Sequence, residues 1–381
     1  MSHATLSYLA CGWQENVFMT DKKGITRKHI PSVVGTGLIA LDIVTNNHQN
    51  TPLHFWSGGS CGNVLIILAY LGWHSYPVAR LGSDNAAKTI TNDMRKHGVN
   101  LRHVFYDQDV HTPIILQKIL TTPDGNPTHR FYWVCPNCGN WLPRYRPFLL
   151  REIQSLKQDL PQMNCFHFDR VSAAAFYLAE KARDQGALVV FEPPNIREDK
   201  EFQRAYDICD ILKYSNGHSK YSAEVAFKSN AKLVIETLGV EGLRYRVRRN
   251  GKCEDWKLLP AFRVMNLKDA AGAGDWCTAG IIDMLSNKEG NNGHEEISDE
   301  NIVKALRYGQ ALGALNCAFE GARGVMYSLN KAQFNNDLEL ILERNEANIS
   351  YKDIFTQKHT GVMKRICPAC KPGKKEYYQK K

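Results

Sequence analysis

Short, mostly apolar runs alternate with amphipathic stretches over much of the chain. Cys165 to Phe168, Leu188 to Phe191, Ile211 to Tyr214 and Leu233 to Thr237 read as strands, with helices between them. Strands without a polar face need cover on both sides, so the alternation predicts a mainly parallel sheet with helices on both faces. Upstream, Ser32 to Asp42 reads as one buried strand ending in a carboxylate. The turn Ser57-Gly58-Gly59-Ser60-Cys61-Gly62-Asn63 then leads into an apolar helix, Val64 to Leu71, stopped by Gly72. Tyr76 to Leu81 predicts a strand, and Ala86, Ala87, Ile90 and Met94 mark one face of a helix ending at Lys96-His97-Gly98. Residues 103–147 differ in character: Pro113 to Leu120 and His129 to Val134 predict a hairpin around Thr122-Pro123-Asp124-Gly125-Asn126-Pro127. Phe262 to Leu267 reads as a further strand, Trp276 to Leu285 and 299–319 as helices, and 331–345 as a peripheral helix.

Composition narrows the class. A chain of 381 residues exceeds the size at which single cores stop growing, which predicts one large domain with a subdomain or appendage. No apolar run approaches the roughly 20 residues that cross a bilayer, and the N-terminus lacks the pattern of a secretory signal. The expectation is a cytoplasmic protein with no membrane partner. The net charge of +9 is uneven, because residues 358–381 hold eight Lys or Arg against one Glu, or +7, and leave about +2 for the rest. That argues against a nucleic-acid footprint over the whole protein and leaves a local one open. Disulfides are not expected among the 11 cysteines of a cytoplasmic chain. Four are paired, in Cys135-Pro-Asn-Cys138-Gly and Cys367-Pro-Ala-Cys370.

The candidate chemistry centres on Asp269-Ala270-Ala271-Gly272-Ala273-Gly274-Asp275, between an apolar run and a helix. Unpaired first-turn amides and the helix dipole make such a turn an anion site. An acid directly after it makes chemical sense as the acceptor of a proton from a group attacking a bound phosphate. A Gly-rich turn onto a buried helix has the same local pattern.

Three separated signals resemble one family, the ribokinase-like (PfkB) kinases, from about Val33 to Val325. Asp269 to Asp275 is similar to the family's D-T-x-G-A-G-D signature. Gly58-Gly59 with Asn63 and Leu71-Gly72 is similar to its substrate-side glycine signature. Thr237-Leu238-Gly239 with Gly242 is similar to its nucleotide-side strand and turn. The resemblance implies a three-layer α/β/α sandwich with a small β-sheet lid and ATP- and magnesium-dependent phosphorylation of a sugar, nucleoside or related alcohol. It implies Asp275 as base and the amides of Gly272, Ala273 and Gly274 as the anion hole. Asp42, Gly58, Gly59 and Asn63 would bind the acceptor. Thr237, Gly239, Gly242 and Asn316 would border the nucleotide. Read without the family, Asn63 fits a helix cap and Asp42 a solvated strand end equally well. Aromatic and imidazole side chains of the lid pieces (His48, His54, Phe55, Trp56, His129 and Trp133) fit packing better than stacking on a ligand.

The chain departs from the family at Ala270 and Ala271, which replace hydroxyl residues. Ser215 and His218 stand where an Asn-x-x-Glu element that organises magnesium-bound water belongs. Glu192 and Glu224 are the candidate substitutes. The expected organisation is an N-terminal extension (1–31), a kinase domain (32–345) with its lid from 43–56 and 103–147, and a basic tail (346–381). Each cysteine pair is a half-site, and together Cys135, Cys138, Cys367 and Cys370 predict one structural zinc. The zinc would bring Lys364, Arg365, Lys371, Lys374 and Lys375 near the lid, to steer an anionic acceptor or a nucleic-acid end. A solvated lysine-rich terminus fits as well, and a homodimer through the lid stays open. The rival functions are a nucleotide-binding sensor or scaffold without turnover, and a zinc-knuckle protein acting on nucleic acid.

Overall fold

The computed structural model describes residues 18–20, 26–28, 30–46, 54–123, 127–156, 159–216, 228–286, 298–351 and 366–370. The strands are β1 (Ser32–Thr36), β2 (Ala40–Asn46), β3 (His54–Gly58), β4 (His74–Pro77), β5 (Ile114–Thr121), β6 (Pro127–Tyr132), β7 (Cys165–Phe168), β8 (Leu188–Phe191), β9 (Ile211–Ser215), β10 (Leu233–Thr237) and β11 (Leu243–Arg249). The helices are α1 (Ser60–Leu71), α2 (Asn85–Lys96), α3 (Ala173–Asp184), α4 (Lys200–Ile208), α5 (Ala273–Ser286), α6 (Asp299–Asn316) and α7 (Lys331–Arg344).

The large sheet runs β11-β10-β9-β8-β7-β1-β4, parallel from β10 to β4 and antiparallel between β10 and β11. Alternate residues of its strands face opposite ways, as strand geometry requires. Val33, Cys165, Val190, Ile211 and Leu233 join the core on one side, with residues of α1, α5 and α6. Val34, Phe166, Val189, Leu212 and Val234 join the other, with residues of α3 and α4. The three layers expected from the alternation are therefore present. Asp84, Ser172, Asp199 and Ser298 each accept the amide three residues on, which sets where α2, α3, α4 and α6 begin.

The smaller sheet runs β6-β5-β2-β3, with β5 and β2 parallel. Its β5–β6 hairpin agrees with the sequence pattern; residues 124–126 of the turn lie outside the described residues. The predicted single strand from Ser32 to Asp42 is in fact two strands in different sheets. The break falls at Gly37, at φ 149°, where a Cβ would collide with the Asp169 carboxylate. Asp42 thus lies within β2 and not at a strand end. Tyr76 to Leu81 likewise splits, and Ala79–Gly82 pairs with Val104–Asp107 instead of the large sheet. Helix α1 starts at Ser60, earlier than the apolar pattern indicated, so Asn63 sits inside its first turn. Of Phe262 to Leu267 only Arg263–Val264 is strand, paired with Glu346–Ala347, and this ties the chain beyond α7 to the body. Helix α7 buries Phe334, Leu338 and Ile341 in the core, so it is less peripheral than expected.

His48, His218, Glu224 and the tail cations Lys364, Arg365, Lys371, Lys374 and Lys375 lie outside the described residues. Among the described helices none is long and apolar enough to cross a membrane.

Candidate active site

The loop before α5 sits at the C-terminal end of β9. Gly272 has φ 74°, a left-handed conformation, and a Cβ there would collide with the Ala322 backbone. Among the described residues the amides of Gly272 and Gly274 have no acceptor, whereas Ala273 N–H donates to the Ala270 carbonyl at 3.3 Å. The buried Asp269 carboxylate shapes the turn, accepting from Ala271 N–H (2.9 Å), Gly321 N–H (3.0 Å) and the side chain of Gln117 (2.8 Å). His129 lies 3.4 Å from the same carboxylate, so both strands of the β5–β6 hairpin touch the brace of the loop.

Beneath the loop Lys213 of β9 donates to Glu192 (2.5 Å) and to the Gly274 carbonyl (3.2 Å), and Thr278 of α5 donates to the other Glu192 oxygen (2.6 Å). Burial would raise the Glu192 carboxyl, but the Lys213 charge, with the contacts from His167 and Lys213, outweighs it and holds the group at about 2. Burial likewise opposes the charge on Lys213, and Glu192 more than restores it.

Asp275 is half-buried in the first turn of α5, and its Oδ2 accepts from the Asn63 side chain at 2.8 Å. Burial and the nearby Glu192 charge push its carboxyl well above the ordinary range, against the Asn63 hydrogen bond and the Lys213 charge. A carboxyl raised in this way is a stronger base than a solvated one.

From Asn63 the contacts continue outward. Arg323, fully buried, donates from Nε to Asn63 Oδ1 (3.0 Å) and from Nη2 to Asp93 (3.0 Å), to Ser57 Oγ (3.1 Å) and to the Ser57 carbonyl. Asp93 in turn accepts from Ser57 N–H at 3.0 Å and from the Tyr327 hydroxyl at 3.1 Å. Asp42 lies beside this group. Burial lifts its carboxyl to about 7 despite the Arg323 charge and the Gly59 amide. Asp42 Oδ1 and Arg323 Nη1 are both buried, and neither has a hydrogen-bond partner among the described residues. Buried polar atoms are nearly always paired, so an open acceptor on Asp42 and an open donor on Arg323 are available to a polar group. Gly58 is required there, since a Cβ would overlap the Asp42 carboxylate, and a Cβ on Gly59 (φ 78°) would meet the Leu38 carbonyl.

The structure therefore brings Asp42, Gly58, Gly59, Asn63 and Asp275 together. Thr237, Gly239 and Gly242 form a turn at the end of β10, the strand next to β9. Gly239 is exposed, and Gly242, at φ 108°, packs where a Cβ would meet the Leu259 carbonyl. Asn316 is wholly buried, and its amide donates to the Ala271 and Gly321 carbonyls and accepts from Val325 N–H. Its side chain thus holds the Gly272 turn against the segment 321–325. Trp56 stacks between His54 and Tyr327 at 4.9 and 5.0 Å, which is packing, as its position indicated. Arg323, Asp93 and Lys213 belong to the cluster without any motif to announce them.

A mainly parallel sheet covered by helices, a separate small sheet, and an acid beside amides without acceptors at a helix start are the features to compare with known proteins. The model of the pfkB family carbohydrate kinases matches residues 32–327, and the chain belongs to that family. Among curated relatives, probable fructokinase-3 of Arabidopsis thaliana is 24% identical over 293 residues, covering 70% of this chain and 78% of that protein. The fructokinase of Solanum tuberosum is 25% identical, covering 70% and 81%. In structure the chain is similar to the fructokinase with bound ATP from Xylella fastidiosa, with TM-score 0.62 and 21% identity over 83% of this chain and 99% of that one. Aminoimidazole riboside kinase from Salmonella enterica, complexed with aminoimidazole riboside and an ATP analogue, gives TM-score 0.57 and 21% identity, covering 81% and 100%.

Proposed function

We propose that this kinase transfers the γ-phosphoryl group of ATP to a hydroxyl of a sugar or nucleoside-like acceptor, with Asp275 as the base. The observation that carries the reading is the continuous contact from Asp275 through Asn63 to Arg323, beside the open Asp42 oxygen. An alcohol seated between Asp42 and Asn63 would present its oxygen to Asp275, which removes the proton as the oxygen attacks phosphorus. The free amides of Gly272 and Gly274 point to where negative charge gathers on the phosphoryl group, with Ala273 as the weaker third donor. Prearranged donors of this kind contribute roughly 3–4 kcal/mol each. Thr237, Gly239 and Gly242 border the nucleotide, and Asn316 serves it by holding the loop.

Magnesium carried by the nucleotide would neutralise phosphate charge. Glu192, ionised at the floor of the loop, fits the role left by His218, as a carboxylate that orders the ion's water shell. Curated relatives are named as fructokinases and structural neighbours as fructose or riboside kinases, and both acceptor types are polyhydroxylated rings. A site pairing an acceptor carboxylate with donating Asn63 and Arg323 suits that chemistry.

The test is ADP release measured across a panel of sugars and nucleosides, with Asp275→Asn alongside. One acceptor class should stimulate release, and the variant should lose a hundredfold to about ten-thousandfold in kcat while still binding ATP. Turnover that survives Asp275→Asn removes the base from its role. ATP binding without turnover on any acceptor favours a sensor and overturns phosphotransfer.

A further inference from the structure

The four paired cysteines take no part in the site above, yet they converge. Cys135 Sγ lies 3.7 Å from Cys370 Sγ, Cys138 Sγ lies 3.8 Å from Cys367 Sγ, and all four sulfurs are within 4.8 Å of one another. A tetrahedron of zinc–sulfur bonds of about 2.3 Å puts neighbouring sulfurs about 3.8 Å apart. Disulfide sulfurs sit far closer, at about 2.05 Å, so these distances are those of four ligands around one centre. The backbone is shaped to match. Gly139 N–H donates to the Cys135 carbonyl at 2.9 Å, with Gly139 at φ 71°, so the chain doubles back and aims both thiols one way. The second pair closes a similar turn, with Cys370 N–H donating to the Cys367 carbonyl at 3.1 Å. All four ligands come from one chain, and four closed positions leave none for a reacting group.

We propose that Cys135, Cys138, Cys367 and Cys370 bind one zinc ion that clamps the small sheet to the C-terminal segment. The first pair follows β6 directly, and its loop is closed by the Val134–Trp141 bridge. The second pair belongs to the C-terminal segment, where Ile366 and Cys367 are buried in the core cluster that the small sheet shares with α1, α5 and α6. Before it, the chain is anchored as far as Tyr351, whose ring stacks on Phe319 and whose carbonyl accepts from Lys268 at 3.1 Å. The metal would therefore join the outer hairpin to the same body that carries the Asp269 loop. Gln117 and His129 of that hairpin both reach Asp269, so fixing the hairpin fixes the brace of the phosphoryl loop.

The proposal needs no phosphotransfer, and its test reads none. Full-length protein purified without chelator should contain one zinc per chain by mass spectrometry of the metal. Exchange with cobalt(II) should give the visible absorption of a tetrahedral thiolate. In Cys138→Ser/Cys370→Ser, the two less buried positions, zinc should fall below about a tenth per chain, and amide exchange over 114–132 and 266–275 should quicken about tenfold or more. Wild type stripped by a chelator serves as the second comparison if the variant folds poorly, and should show the same local loosening. No zinc after growth with zinc supplied overturns the site. Bound zinc with exchange unchanged on its removal overturns the clamp.

Discussion

The two ends of the proposed active site are built by different means. The proposed phosphoryl end is backbone, with seven consecutive residues folding into one turn in which the Gly272 and Gly274 amides have no acceptor among the described residues. It rests on two glycines and the internal brace of Asp269, so Ala270 and Ala271 can replace hydroxyl residues without removing an amide donor. The proposed acceptor end is side chain, with Asp42, Ser57, Asn63, Asp93 and Arg323 converging from five places in the chain. Backbone donors survive most substitutions but not a change of φ. A side-chain network fails at any member that is cut. The two ends should therefore break differently, the first in kcat and the second in acceptor KM and in stability.

The largest effect expected is at Arg323. Arg323→Met leaves Asp93 and Asp42 buried without their cation, and breaking a buried pair costs about 3–5 kcal/mol. The urea midpoint should fall accordingly. Arg323→Lys keeps the charge but cannot reach Asn63, Ser57 and Asp93 together, so acceptor KM should rise about tenfold or more with kcat nearly kept. A change confined to kcat would assign Arg323 to the phosphoryl end and erase the distinction.

Next in size is Gly272→Ala. The added Cβ meets the Ala322 backbone at a positive φ, so the turn must shift and its donors with it. Loss of one donor corresponds to about a hundredfold to a thousandfold in kcat. Acceptor KM should change less than kcat, because the turn reaches Asn63 through the hydrogen bond Asn63 donates to Asp275, while Asp42 is held separately in β2. A KM that rises more than kcat falls would show the two ends to be one mechanical unit.

The same contrast explains what could be read from the chain alone. The strands Cys165–Phe168, Leu188–Phe191 and Leu233–Thr237 were legible because short, mostly apolar runs without a regular polar face suit a sheet covered on both sides. Gly272 to Asp275 was legible because a turn made of backbone must be contiguous. The crossover at Gly37 was hidden, since Ser32 to Asp42 stays apolar while passing from one sheet to the other, and only the clash with Asp169 fixes the break. Arg323 was hidden too. In sequence it closes a glycine turn, and its partners Asn63 and Asp93 lie more than 200 positions away. The cysteine pairs fell between these cases: the ligands were visible, but the single chain that supplies them was not.

The remaining effect is the one that depends on pH. Asp42 titrates at about 7 in the folded protein against 3.8 ordinarily, chiefly because burial disfavours its charge. The unfolded chain therefore gives up this proton at lower pH than the folded one. Well below pH 4 the carboxyl is neutral in both states and contributes nothing. As pH rises through 4 to 7 the folded state is progressively disfavoured, and above 7 the cost is complete, on the order of 4 kcal/mol. Asp42→Asn removes that titration while keeping the shape, so its urea midpoint should match wild type at pH 4 and exceed it at pH 8, with acceptor KM raised. Asp275→Asn should stabilise in the same direction, because that carboxyl is also raised, but its loss appears in kcat. Two carboxylates held above their ordinary range would then be separated by the kinetic constant each one governs. If both variants lost only kcat, Asp42 would belong with the base and the acceptor would have to be held elsewhere.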